Sequence, residues 1–324
     1  MLNLKPVLAA LLLSLFSLSA LADVAPLTTK GNQVLIGGST GSIAGPSLFW
    51  SNDGWGGDKF YTAGAVKTVA EDWNAELVRA AMGIETPGGY LESPESNLTK
   101  IRTVVDAAIA NDLYVVIDWH SHHAEDHPDS AVAFFTQMAE EYGEHPNVIY
   151  EIYNEPLDVS WTDTLKPYAV QVIEAIRAID PDNLIVVGTP NWSQDVDVAA
   201  ESPITGFQNL AYALHFYAGT HTDSLRDKAR DALDKGLPLF ATEWGTVNAN
   251  GDGDVATAQT EIWMDFFKEH NISHANWALN DKEEGASALV VGASPEGNWS
   301  EKDYTASGRY ARDIIRQWEA REPQ

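Results

Sequence analysis

The chain has 324 residues, no cysteine and a formal net charge of −27. The missing cysteines exclude a thiol nucleophile, a thiolate metal centre and a disulfide scaffold, and a chain of this length buries a large core without covalent staples. The acidity opposes nucleic acid or an anionic membrane as a partner.

Residues 1–22 read as an export leader. Lys5 gives a positive start, residues 7–18 form an apolar core, and Ala20-Leu21-Ala22 is a small-residue cleavage site before Asp23. No later segment is long and apolar enough to span a membrane. The expectation is a secreted protein, extracellular or periplasmic, with a single domain over residues 23–324 acting as a monomer.

From residue 33 onward, short β-branched runs alternate with longer stretches of helical period. The first predicted strand covers 33–37 and is followed by a helix over 62–73. Strand 77–81 then precedes helix 96–111, strand 114–119 precedes helix 129–142, and strand 148–153 precedes helix 163–179. Strand 184–187 is followed by a short helix after Trp192. Strand 211–216 precedes helix 224–235, strand 239–242 precedes helix 255–270, and strand 274–277 precedes helix 307–319. Eight such repeats predict an α/β fold of the (β/α)8 TIM-barrel type over an open sheet.

Polar groups stand where these apolar strands end. The second strand carries Arg79, and the third ends Asp118-Trp119-His120. The fourth leads into Asn154-Glu155-Pro156, the sixth ends His215-Phe216-Tyr217, the seventh meets Glu243, and the eighth carries Trp277. Strand C-termini of a parallel barrel open onto one face, where chemistry is done. Two carboxyl groups facing each other there are the minimum equipment for cleaving a glycosidic bond. The alternative for either glutamate alone is a helix cap or a solvated group. Eleven tryptophans also favour a carbohydrate, because sugar rings present apolar faces that stack on flat aromatics; others of them belong in the core.

Asn154-Glu155-Pro156 after a tyrosine-rich strand, the run from Ala213 to His221, Thr242-Glu243-Trp244-Gly245 and Ala275-Asn276-Trp277 follow one another in order. In these motifs the chain resembles glycoside hydrolase family 5, and within it the bacterial endo-β-1,4-glucanases, or cellulases. The resemblance runs from about residue 33 to about residue 318 and implies a retaining enzyme on a (β/α)8 barrel. It implies a β-1,4-glucan or cello-oligosaccharide substrate and no cofactor. By resemblance Glu155 is the general acid/base and Glu243 the nucleophile. A retaining pair stands about 5–5.5 Å apart. Arg79 is expected to favour the Glu243 carboxylate by its fixed charge, and Tyr217 to hold it by a hydrogen bond. Asn154 is expected at the sugar 2-hydroxyl, His120 and His215 along the reacting subsite, and Trp277 as its floor. Trp50 is expected on the glycon side, Trp192 on the leaving-group side, and Lys282 and Glu284 at glycon hydroxyls.

The chain departs from the commoner pattern at two places. Pro46 stands near a position where many relatives have histidine. Gly83 follows Arg79-Ala80-Ala81-Met82 where many have tyrosine. Other readings compete. A β-mannanase or mixed-linkage glucanase would use the same machinery. His120-Ser121-His122, with His123, Asp126 and His127 nearby, matches the ligand types of a metal-dependent amidohydrolase. A carbohydrate-binding protein without catalysis would keep the tryptophans but has no use for both glutamates. The run Asn248 to Asp254 has the oxygen spacing that opens a calcium loop, but Gln259 stands where the bidentate glutamate belongs. A structural calcium there is the one exception to the expectation of no metal.

Overall fold

Residues 24–318 are described by the computed structural model. The leader read from residues 1–22 lies outside them, as does Glu319, the expected last residue of the final helix. Eight parallel strands close into a barrel in chain order: β4 (Ala44–Leu48), β5 (Leu77–Gly83), β6 (Tyr114–His120), β7 (Val148–Glu151), β8 (Leu184–Val187), β9 (Leu210–Tyr217), β10 (Leu239–Gly245) and β11 (His274–Leu279). β11 returns to pair with β4 and completes the ring. Every position in these strands is buried. That is required of parallel strands covered on one face by helices and on the other by the barrel interior.

The helices follow the strands as expected: α1 (Ala63–Glu71), α2 (Pro94–Ala110), α3 (Pro128–Tyr142), α4 (Lys166–Arg177), α6 (Val196–Glu201), α7 (Asp223–Asp234), α8 (Thr257–His270) and α9 (Ala306–Arg316), with a short turn, α5 (Pro190–Ser193), after β8. Thr62 caps α1 by accepting from the Ala65 N–H, and α2, α3 and α4 each place a proline in the first turn, where no N–H is needed. The predicted helix over 163–179 is entered through a wider π turn, Trp161–Leu165.

One predicted strand is misplaced. Residues 33–37 do not open the barrel. They supply β2 (Gln33–Ile36) of a small antiparallel sheet with β1 (Leu27–Lys30) and β3 (Ser39–Thr40). The barrel begins instead at β4, whose sequence Ala-Gly-Pro-Ser-Leu has little intrinsic strand preference. Its place is fixed by pairing with β11 on one side and β5 on the other. The small sheet caps the N-terminal end of the barrel: Leu27, Val34 and Ile43 pack with Leu77, Tyr114, Val116, Ile149, Leu184, Val186 and Phe240. The lower interior is therefore sealed and apolar, and the polar groups of the strands gather in the upper half.

Candidate active site

Arg79 organises that upper half. Its guanidinium is wholly buried in the middle of β5. It meets three carboxylates, Glu151 at 2.7 Å, Asp118 at 2.9 Å and Glu243 at 3.0 Å. Burial opposes its charge, but the three acids outweigh burial and hold it protonated. Its Nη2 also donates to Asn154 Oδ1 at 2.7 Å. That contact fixes the amide so that its N–H groups face the cavity above.

Glu155 is positioned by backbone. β7 ends at Glu151, and the chain then crosses towards β6, with Asn154 N donating to Trp119 O and Glu155 N to Ser121 O, both at 3.2 Å. Glu243 lies inside β10. Tyr217 donates to its Oε1 at 2.7 Å and Arg79 to its Oε2 at 3.0 Å. Gly245 makes room for that tyrosine, since a Cβ there would stand 2.3 Å from its ring. One oxygen of Glu155, one of Glu243 and a nitrogen of His215 all lie within 4.8 Å of one another. This is the short separation of a direct nucleophile, not the roughly 6.5–9.5 Å that leaves space for an attacking water.

A second chain of hydrogen bonds runs from Glu151 to Glu155. Thr242 Oγ1 donates to Glu151 Oε1 at 2.6 Å, which leaves Thr242 Oγ1 to accept from His215 Nε2 at 2.9 Å. His215 Nδ1 then faces Glu155 Oε1 at 3.0 Å, a hydrogen-bonding distance. Burial alone would lower the imidazole. The Glu151 carboxylate 3.6 Å from Nε2 and the hydrogen bond to Glu155, with the Glu243 and Glu155 charges, outweigh it and raise His215 to about 9.

Glu243 is pushed up although it pairs with a buried arginine. Burial is the larger cause and the Glu155 charge the next, while His215, Arg79 and Tyr217 pull it back. The Glu155 contribution vanishes once Glu155 carries a proton. The cation and the phenol on Glu243 favour its ionised form.

Aromatic rings line the cavity above. The His120 ring lies parallel to Trp277 at 5.0 Å, and the Trp50 ring meets His120 edge-on at 4.1 Å. His120 is kept neutral by burial first and by Arg79 second. Of the residues expected from sequence, Glu155, Glu243, Asn154, His120, Tyr217, Trp277, Trp50, Lys282 and Glu284 share one cavity of about 450 Å³. Trp192 and His215 line a second, of about 560 Å³, that touches the first at Glu155 and Tyr217. Trp192 is presented by three consecutive left-handed residues, Asn191, Trp192 and Ser193, with φ of 59°, 57° and 53°. Their turn is held by the Asn191 and Trp192 N–H groups on Leu157 O and Pro156 O. Arg79, expected among the substrate-binding residues, lines neither cavity: it lies beneath them and acts through Asn154 and Glu243.

Among the described residues, polar groups of the other clusters are engaged within the protein. His120 Nδ1 is engaged by Asp118 at 2.6 Å, Ser121 by Glu85, and His122 Nδ1 by the Glu155 carbonyl at 3.1 Å. The run Asn248 to Asp254 closes on itself: Asn248 N donates to Asp252 O and Asp252 N to Asn250 Oδ1, while Asp252 Oδ1 accepts from Gly285 N. Among the described residues, the group of three acid or imidazole side chains with ligand atoms close enough to hold an ion is Glu155, His215 and Glu243.

The family model described as cellulase (glycosyl hydrolase family 5) matches residues 28–283. Endoglucanase Z of Dickeya dadantii is 56% identical over 306 residues, covering 94% of this chain and 70% of that protein. The chain belongs to glycosyl hydrolase family 5. An endoglucanase of Clostridium saccharobutylicum is 46% identical over 79% of this chain, which spans only 58% of that longer relative. Among solved structures, one from Cytophaga hutchinsonii superposes with a TM-score of 0.88 at 48% identity, covering 90% of this chain and 95% of the other. The catalytic domain of Thermobifida fusca endoglucanase Cel5A, solved in complex with cellotetraose, gives 0.84 at 30% identity, covering 90% and 97%. Family 5 endoglucanases generally need no cofactor.

Of the buried acids around Arg79, Glu151 went unmarked in the sequence, and Asp118 was visible at its strand end but had no role there. Glu151 and Asp118 sit inside buried strands, where a carboxylate looks misplaced until the buried arginine is known. Trp55, also unmarked, sits in the glycine-rich run Asn52-Asp53-Gly54-Trp55-Gly56-Gly57 and lines the first cavity. An aromatic in so short a turn was the signal available.

Proposed function

We propose that this chain is a retaining endo-β-1,4-glucanase that cuts internal bonds of cellulose-like chains by double displacement. The observation that carries the reading is the pair Glu155 and Glu243, within 4.8 Å through one oxygen each, at the centre of two joined cavities. Glu243, aligned by Tyr217 and Arg79, attacks the anomeric carbon of the sugar on Trp277. Glu155 gives the glycosidic oxygen a proton, and the leaving chain departs along Trp192. Glu155 then takes a proton from water as that water hydrolyses the glycosyl ester on Glu243. The Asn154 amide, turned towards the cavity by Arg79, meets the 2-hydroxyl of the reacting sugar.

Cavities on both sides of the carboxylates fit cleavage within a chain, and soluble or amorphous glucan over crystalline fibre. The named endoglucanase relatives support the cellulose reading over a mannan one. Export rests on the sequence of residues 1–22 alone, and a mature protein starting at Asp23 in the medium or periplasm would bear it out.

The test is reducing-sugar release from carboxymethylcellulose, galactomannan and mixed-linkage glucan, by wild type and Glu243→Gln in parallel. Release from the cellulose derivative, reduced at least about a thousandfold in the variant, is expected. Release chiefly from galactomannan would keep the mechanism and overturn the substrate. No release from any of the three would overturn the enzyme.

A further inference from the structure

Two tryptophans are exposed among the described residues, Trp55 at 39% and Trp192 at 43%. They lie at opposite ends of the joined cavities: Trp192 with Glu155 on the leaving-group side, Trp55 with Trp50, Trp277 and Lys282 on the other. Trp192 already has a use in the proposed function. Trp55 has none, although it stands not as a lone surface residue but beside Trp50 in the wall of the first cavity.

Its loop is built to hold it still. Trp55 N donates to Asn52 O at 3.2 Å, and the N–H groups of Gly54 and Gly56, with φ of 83° and 89°, donate to the Asp58 carboxylate at 3.4 and 3.0 Å. The Asn52 side chain is wholly buried and donates to Glu85 O and Pro87 O at 2.8 and 3.0 Å. Asp53 pairs with Lys100 and accepts from Ser96 Oγ at 2.9 Å. Gly83 makes this anchoring possible, since a Cβ there would stand 1.6 Å from Asn52 Oδ1. The glycine that departs from the commoner family pattern is thus the space into which the Trp55 loop is pinned.

The aromatic rings form a series leading away from the carboxylates. Trp277 stacks with His120, His120 meets Trp50, and Trp50 stands 5.4 Å from Trp55 with the planes tilted by 37°. The leaving group departs on the Glu155 side, so this series runs along the glycon. We propose that Trp55 forms a third glycon subsite, stacking on the sugar two residues beyond the one that is attacked, and selects glucan chains long enough to reach it. The inference rests on the endoglucanase reading. A platform ordered before binding loses little freedom on contact, so its stacking appears in the commitment of long substrates to cleavage.

The experiment compares an aryl β-cellobioside, which fills two glycon subsites, with the aryl β-cellotrioside, which fills three. Wild type should show the higher kcat/KM on the trioside. Trp55→Ala should lose about tenfold on the trioside and change less than about twofold on the bioside. Trp55→Phe, which keeps a smaller ring, should fall between wild type and alanine on the trioside. An unchanged trioside rate, or equal losses on both substrates with an unaltered unfolding temperature, overturns the subsite and leaves the endoglucanase reading standing. A wild-type enzyme inactive on both glycosides and on cello-oligosaccharides overturns both.

Discussion

The two halves of the barrel interior use the same strands under opposite rules. Below, Leu77, Tyr114, Val116, Ile149, Leu184, Val186 and Phe240 pack against the cap formed by β1 to β3. Above, the same strands carry Arg79, Asp118, Glu151, His215, Thr242 and Glu243, all buried. The lower half gains stability from apolar area removed from water. The upper half sets three acidic groups around one arginine and a fourth, Glu155, against His215, an arrangement tolerated only because each charge meets a partner. One fold thus separates the part that holds the protein together from the part that does chemistry, a few residues apart along each strand.

The sharpest way to break this contrast is to change one residue in each half. Glu151→Gln removes a buried charge that touches Arg79 and, through Thr242, orients His215. It should lower stability by about 3 kcal/mol and turnover by about a hundredfold, with little change in the affinity for cello-oligosaccharides. Leu184→Ala should cost a comparable ~2–5 kcal/mol but leave kcat within about twofold. Urea unfolding and steady-state kinetics on both variants decide it; a Leu184→Ala enzyme slowed as much as Glu151→Gln would show that the halves are not separable.

The pH dependence sharpens the contrast next. His215 is raised in the folded protein to about 9, above the roughly 6.5 of an unperturbed histidine. Its contribution is therefore fully present below about pH 6.5 and is lost as pH rises through about 9, since the folded state binds more protons across that window. Unfolding temperatures of wild type and His215→Gln should converge over that range. Below pH 6.5 their difference should stay constant, and a gap that widens above pH 7 would contradict the assignment.

The smallest expected effect lies at the rim. Gly83→Ala should displace Asn52 and loosen the Trp55 loop, lowering kcat/KM on long cello-oligosaccharides by roughly fivefold and unfolding stability by about 1–3 kcal/mol. A change of the same size on a two-sugar aryl glycoside would place the fault in the reacting subsite instead.

What the sequence made legible follows from the same division. Seven of the eight barrel strands declared themselves as short apolar runs, because their burial demands such side chains. The first did not. β4 contains glycine and proline, and its position is imposed by its neighbours, whereas Gln33–Ile36 has the stronger local pattern and forms the cap. At the site, residues in loops and at strand ends were visible through residue type: Glu155, Tyr217, Trp192, Lys282. The roles of Glu151 and Asp118 were not, since nothing local marks a carboxylate as the partner of an arginine 72 or 39 positions away. The role of Gly83 was also hidden, for its meaning is the volume occupied by Asn52.

The crowding of acids around Arg79 bears on how the enzyme meets modified cellulose. Glu155, Glu243 and Glu284 line the groove of a protein whose overall charge is −27. A carboxymethyl group carried into that groove meets a field of its own sign. Screening acts over about 8 Å at physiological ionic strength, so a substituent at the reacting sugar stays within reach of the acids. Cuts in carboxymethylcellulose are therefore expected in unsubstituted stretches, with added salt relaxing the restriction. The rate on that polymer measures the spacing of its substituents together with the enzyme, whereas a neutral cello-oligosaccharide reports the groove alone.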